Sequence, residues 1–349
     1  MTIPEDIVVE ILARLPVKSV LRFKCVAKRW NQIIRSYDFV SKHCSKQEPT
    51  CAFVVRHDPE EEECYSWLHE PQIDPEVETA NLIFSENFDL LPVVFGPCNG
   101  LLCLCDTAGN VTIWNPSTKE HKDLPKTYGH DFNNFGFGFD RKTNDYNVLR
   151  FVSEGNRPNV SFEIELYSLN NDVWYGYPVA AVLVDYNLDS HAYNNGVCYC
   201  WAVKGAVAFI ASFDMADHKF DWMRPPNCNI SWVDCGVKLE ILDGSLAAVL
   251  YLNDVESTNY DIWVMTKQGD NEILWVKKVC IGPLSMGKCL GLWNSNALFL
   301  EDDEEQLCLY DPETYHLRIF ELEKTPLQVV SYRESLVRIN GRTTGPRTS

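Results

Sequence analysis

The sequence predicts an α+β chain of two domains: a small three-helix unit over residues 1–46, then an all-β, propeller-like domain over residues 47–340. Three observations predict it. Apolar residues recur at three- and four-residue spacing only near the start. From about residue 50 they come in short runs bounded by turn residues. Those runs then repeat with a step near 50 residues, the length of a four-stranded blade.

Ile7, Val8, Ile11, Leu12 and Leu15 form the apolar stripe of an amphipathic helix. Pro4 is tolerated near a helix start, and Glu5 and Asp6 put negative charge where the helix dipole favours it. Pro16 is expected to stop this helix at Leu15. A second short helix is expected through Val17–Phe23, and a third carries Val26, Trp30, Ile33 and Ile34. So small a unit cannot hide all of these side chains in one core, and the surplus implies a partner.

Beyond residue 50 the runs are of strand length, among them Leu101–Cys105, Val111–Trp114, Val197–Trp201, Leu246–Tyr251 and Ala297–Leu300. Gly, Asn, Asp or Pro bound most of them. Aromatic anchors that precede a turn stand at Trp114, Tyr167, Phe213, Trp263 and Tyr310, with steps of 53, 46, 50 and 47 residues. A second marker, a turn followed by an apolar strand, keeps step at Asn99-Gly100, Asn144-Asp145, Asn195-Gly196, Asp243-Gly244 and Ser295-Asn296. The length available gives about six blades. A β-sandwich assembly is the competing fold. Residues 341–349 read as a disordered tail.

Composition narrows the function classes. The net charge is −18 and unevenly spread. Residues 1–46 hold nine basic against four acidic side chains, +5, which leaves −23 for the remainder. Such a field repels nucleic acid and anionic membranes and attracts basic partners. No stretch has the apolar length of a membrane span or a signal peptide, so a cytoplasmic or nuclear location is expected. The fourteen Cys contain no Cys-x-x-Cys pair and the eight His no His-x-x-x-His pair, so neither a metal nor a cofactor is expected. Gly136-Phe137-Gly138 lacks the third Gly of a dinucleotide loop, and no Gly-x-Ser-x-Gly or Walker loop occurs. The chain does not read as an enzyme.

The run from Ile3 to Trp30 resembles an F-box: two Pro, the Ile11-Leu12 pair, Leu21 and the Val26-x-Lys28-x-Trp30 ending all stand at F-box spacing. The rest is similar to the plant F-box-associated domain, and within it to the S-locus F-box group. Gly96-Pro97-Cys98-Asn99-Gly100-Leu101, Trp114-Asn115-Pro116-Ser117-Thr118-Lys119, Phe135–Asp140, Asp261–Met265 and Ile281–Leu284 carry that likeness by their order and spacing.

The resemblance implies the substrate-recognition subunit of a Skp–cullin–F-box (SCF) ubiquitin ligase, non-catalytic in itself. The helical unit would dock on a Skp-type adaptor, and through it on a cullin and a RING subunit. The expected contact set is Pro4, Ile7, Val8, Ile11, Leu12, Leu15, Pro16, Val17, Leu21, Val26 and Trp30, some of which must instead form the unit's own core. The β domain would bind the target. Two acidic clusters are candidate target loops: Asp58 with Glu60, Glu61, Glu62 and Glu63, and Glu301, Asp302, Asp303, Glu304 and Glu305. In the S-locus group the implied targets are basic pistil ribonucleases, marked for degradation in pollen. Three other readings stay open: a receptor for a different target, a glycan-binding propeller stacking sugars on Trp201, Trp222, Trp232 or Trp293, and an interaction protein outside any ligase.

Overall fold

The computed structural model describes residues 4–49, 51–57, 64–69, 76–80, 93–106, 108–126, 134–153, 162–178, 185–204, 207–227, 234–253, 255–268, 272–293, 297–322 and 325–339. The chain opens with four helices: α1 (Glu5–Leu12), α2 (Val17–Phe23), α3 (Lys28–Arg35) and α4 (Tyr37–Lys46). Pro4 and Pro16 stand immediately before α1 and α2, where a missing N–H costs nothing.

Two expectations are corrected here. The first helix ends at Leu12 rather than Leu15, because Pro16 disfavours helical geometry in the residue before it. The N–H groups of Arg14 and Leu15 fall back on the Ile11 and Leu12 carbonyls, a tighter final turn. Among the described residues there are also four helices, not three. Ser36 breaks α3 in extended conformation, and its Oγ accepts the Phe39 N–H at 3.3 Å, capping a new helix. Phe39, Val40 and His43 then face inward at helical spacing.

The described residues of the remaining chain build six four-stranded antiparallel sheets. Five are contiguous in sequence: β4–β7 (Val93–Cys98, Leu101–Cys105, Val111–Asn115, Glu120–Asp123), β8–β11 (Asn134–Asp140, Asp145–Ser153, Phe162–Ser168, Val173–Pro178), β12–β15 (Asp185–Asn194, Val197–Lys204, Val207–Asp214, Lys219–Met223), β16–β19 (Cys235–Leu242, Ser245–Leu252, Thr258–Gln268, Glu272–Leu284) and β20–β23 (Cys289–Trp293, Ala297–Glu301, Leu307–Asp311, His316–Phe320). The sixth is composite, with order β24-β1-β2-β3. It joins β1 (Cys51–His57), β2 (Cys64–His69) and β3 (Glu76–Ala80) to β24 (Thr325–Tyr332). The first strands of neighbouring sheets meet one another, β24 with β4, β4 with β8, and on around through β12, β16 and β20, so they line the centre. This is the predicted propeller, with six blades.

Each sequence anchor lies on the third strand of its blade: Trp114 on β6, Tyr167 on β10, Phe213 on β14, Trp263 on β18 and Tyr310 on β22. At Asn99, Asn144, Asn195 and Asp243 the second marker falls where the first strand turns into the second, while Ser295-Asn296 lies outside the described residues. Asn99-Gly100, Asn195-Gly196 and Asp243-Gly244 all have positive φ at both positions, the type I′ geometry that suits tight hairpins. Every residue of β5 and of β6 is buried, since second and third strands pack against blades on both sides. That is why these runs read as continuously apolar rather than alternating.

Closure is a packed joint. Phe53 stacks on Tyr65 at 5.5 Å, and Trp67 meets Tyr332 edge-on at 5.2 Å. Gln328 on β24 bridges to β4 reciprocally: it accepts the Val94 N–H at 3.0 Å and donates to the Val94 carbonyl at 2.7 Å.

Candidate interaction surfaces

Antiparallel connection makes successive turns alternate between the two sides of the ring. Turns after first and third strands share one side, and the helical head sits on it. Tyr37 donates to Asn144 Oδ1, beside the first turn of β8–β11, and residues 333–339 run from β24 beneath the helices. The turn from β21 to β22, which holds Glu301–Glu305, is on the opposite side.

The head divides the expected contact set. Leu12 and Val17 are buried in a core shared with Ile34, Phe39 and Leu336. Val8, Leu15, Leu21 and Trp30 are half-buried, Trp30 lying edge-on to Phe23 at 5.5 Å. Pro4, Ile7, Ile11, Pro16 and Val26 are exposed, Ile7 by 47%, Ile11 by 52% and Val26 by 61%. Ile7 and Ile11 are one helical turn apart and line an open groove with Val9 and Arg14. Val9 was absent from the sequence-derived set; its i+2 offset from Ile7 hides it from a stripe count.

Much of the charge around this groove is paired within the head. Arg29 bonds Glu5, while Lys42 and Lys46 both bond Glu10, Lys46 at 2.6 Å. The hydrogen bonds from Lys42 and Lys46 hold the Glu10 carboxyl down at about 2. What the groove offers a partner is the apolar side chains of Ile7, Val9 and Ile11, flanked by Asp6 and Arg14.

His43 locks the head from inside. It is fully buried, and its Nε2 lies 2.9 Å from the Leu15 carbonyl, to which the neutral ring donates. Burial lowers its pKa, outweighing the Leu15 hydrogen bond and the Glu334 charge, which both raise it. An unfolded His titrates near 6.5, so on acidification the unfolded chain takes up the proton first. Stability is complete above about pH 6.5 and falls as pH drops toward the lowered folded value. Thermal unfolding followed by circular dichroism should show a lower melting temperature at pH 5.5 than at 7.5, with the difference shrinking in His43→Gln. An unchanged difference in that variant would refute the assignment.

On the far side, Asp302 is structural. Its Oδ1 accepts the N–H groups of Glu304 at 2.9 Å and Gln306 at 2.8 Å, building the turn. Glu301 is half-buried, and burial raises its carboxyl pKa. Asp303, Glu304 and Glu305 are exposed, Glu305 accepting from Thr325 Oγ1 at 2.8 Å. Asp58 and Glu60–Glu63 lie outside the described residues. Of the four indoles for a sugar platform, Trp201 and Trp293 are buried in blade cores, Trp222 is half-buried against Phe220, and Trp232 lies outside the described residues.

Among the described residues no cluster of three or more His, Cys, Asp and Glu could hold a metal ion. Cys103 and Cys105 bring their sulfurs to 3.5 Å on one face of β5. Burial pushes the Cys200 and Cys289 thiols up to about 12 and raises Cys98 and Cys198 as well, so these sulfurs are protonated packing groups.

Residues 60–339 match the family described as the F-box associated beta propeller domain, and residues 2–42 match the F-box domain. The chain belongs to the F-box proteins with an associated propeller. The F-box/kelch-repeat protein At3g23880 of Arabidopsis thaliana is 29% identical over 333 residues, covering 88% of this chain and 87% of its own length. The putative F-box protein At3g17480 of the same plant is 26% identical, with 96% of each chain covered. Among solved structures, TolB from Acinetobacter baumannii overlaps 84% of this chain and 69% of its own with a TM-score of 0.47 at 11% identity, which adds nothing to the assignment. The F-box match covers α1–α3 and part of α4, and the propeller match covers the ring from β2 onward together with residues 333–339, which return to the head.

Proposed function

We propose that this chain is the substrate-recognition subunit of an SCF-type ubiquitin ligase. The observation that carries the reading is the set of exposed apolar side chains of the F-box, Ile7, Ile11 and Val26, on a head attached to one side of the propeller. The face takes the Skp-type adaptor, which brings the cullin and RING subunits. The far turns take the target. In this reading the chain supplies no catalytic group, and it works in the cytoplasm or nucleus where its partners do.

The finer reading concerns the target. The −23 balance of residues 47–349 and the exposed Asp303, Glu304 and Glu305 favour a basic protein, by faster encounter more than by tighter contact. The S-locus resemblance makes a basic S-ribonuclease of pollen self-incompatibility one such target.

Affinity purification with the proteasome blocked tests both levels. The adaptor and a cullin should co-purify, together with an enriched protein of high isoelectric point. Recovery of no adaptor would sink the ligase reading. Replacing Asp303, Glu304 and Glu305 by Lys should slow association of that protein roughly tenfold at low salt, and less at high salt. An unchanged association rate would remove the acidic turn from the target site.

A further inference from the structure

We infer that residues 333–339 are a positioning strap: they set the direction in which the F-box presents its adaptor face relative to the target side of the ring, with Arg333 and Glu334 as the key residues. The purpose of the strap rests on the receptor reading; its mechanics do not.

Helices and ring share one apolar core, in which Leu12, Val17 and Phe39 of the head cluster with Leu336 of this segment and with Leu101 and Phe137 of the ring. The segment's polar head-side contacts are two adjacent side chains of opposite charge. Glu334 Oε2 accepts the backbone N–H of Val17, the first residue of α2, at 3.0 Å. Arg333 Nη1 donates to the Cys44 carbonyl in the last turn of α4 at 3.5 Å. Each charge matches the helix end it touches, an anion with free N–H groups and a cation with free carbonyls. Two helices gripped at different ends by neighbouring residues cannot turn independently of the ring.

The ring side is held as firmly. Asn115 donates to the carbonyls of Ser335 at 3.2 Å and Val337 at 2.7 Å. The Ser335 N–H bonds Ser117 Oγ at 3.0 Å, and the Ile339 N–H bonds Glu120 Oε2 at 2.8 Å. These partners all belong to the β6–β7 hairpin. Gly100, φ +75°, lets the strap pass: a Cβ there would stand 2.3 Å from Ser335 Cβ and 2.7 Å from the Arg333 carbonyl. Between the two sets of bonds, Leu336, Val337 and Ile339 are buried in the core shared by helices and blade.

A ligase must bring a bound target to an activated ubiquitin held elsewhere in the assembly, so the angle between its two docking surfaces decides which target lysines are reached. A free hinge would spread that angle over many orientations, and the strap removes the hinge.

The test measures direction without needing a target. Spin labels go on Cys25 of the head and Cys280 of β19, both exposed, in a background with Cys44, Cys64, Cys200 and Cys228 replaced by Ser. Pulsed dipolar spectroscopy should give one narrow distance peak. Arg333→Ala with Glu334→Ala should broaden it into several, while Glu334→Gln, whose amide oxygen still accepts from Val17, should keep it narrow. Asn115→Ala attacks the strap from the ring side and should broaden the peak too, so a folding failure of one variant leaves the other to decide. An equally narrow peak in the folded variants overturns the proposal. Adaptor co-purification, run on unlabelled protein, should be unchanged throughout. Its absence from the parent protein would overturn the receptor reading while the distance result still judged the strap.

Discussion

Replacing Ile7 and Ile11 together by Asp will abolish co-purification of a Skp-type adaptor and leave the propeller folded. Both side chains are about half exposed, so neither replacement opens a cavity or buries a charge within the chain. In a complex the same two positions would be desolvated, and two carboxylates set against an apolar partner surface cost at least about 3 kcal/mol, more than a hundredfold in Kd. The melting temperature should not move. Leu12→Ala is the informative contrast: Leu12 is 2% exposed, so its truncation destabilises the head itself by about 2–5 kcal/mol and weakens adaptor binding only as a consequence. A pull-down in which the Ile7/Ile11 variant captures adaptor as well as the parent does would remove α1 from the docking face, and with it the main support for the ligase reading.

Deleting residues 325–349 will prevent the propeller from folding cooperatively. The deletion removes β24, the innermost strand of the composite blade, to which β1 is paired from Cys51↔Tyr332 to His57↔Thr325. Without it, β1–β3 form a three-stranded sheet with one edge unpaired and an aromatic joint lacking its partner. The Gln328 bridge to β4 goes too, so the ring is broken at both flanks of the gap. Urea unfolding followed by tryptophan fluorescence should lose its sigmoidal transition. A milder probe is Tyr332→Ala. Tyr332 is buried against Trp67 and shares a hydrogen bond with Ser117 Oγ at 2.8 Å, so its truncation should cost about 3–5 kcal/mol and lower the urea midpoint without abolishing the transition. A deletion variant with an intact transition would show that closure is dispensable.

The parts that could be read in advance share a property: their causes are local. Proline, acid and apolar spacing mark α1 and α2 because helix geometry couples residues three and four apart. Asn-Gly and Asp-Gly mark the inner hairpins because those pairs adopt positive φ cheaply. The 50-residue step survives a weak repeat because each anchor holds the same third-strand position. The fourth helix leaves little trace in the sequence although its cap is local, since Ser36 precedes only one apolar pair, Phe39-Val40, before polar residues resume. On the far turn, only its hydrogen bonds to the backbone set Asp302 apart from its acidic neighbours.

The sequence by itself determined a helical head with more apolar surface than it can bury, a following ring of about six repeated sheets, and the family to which both belong. Only the tertiary structure decided which of the head's apolar residues turn inward, how the ring closes, and how the head is fastened to it. Leu12 and Ile11 are equally apolar neighbours, and the helix phase relative to a core formed by Leu336 buries one and exposes the other. Closure pairs Cys51 with Tyr332, and the fastening pairs Val17 with Glu334, contacts separated by most of the chain. Periodicity and turn chemistry record forces acting over a few residues; contacts between distant segments leave no spacing to read.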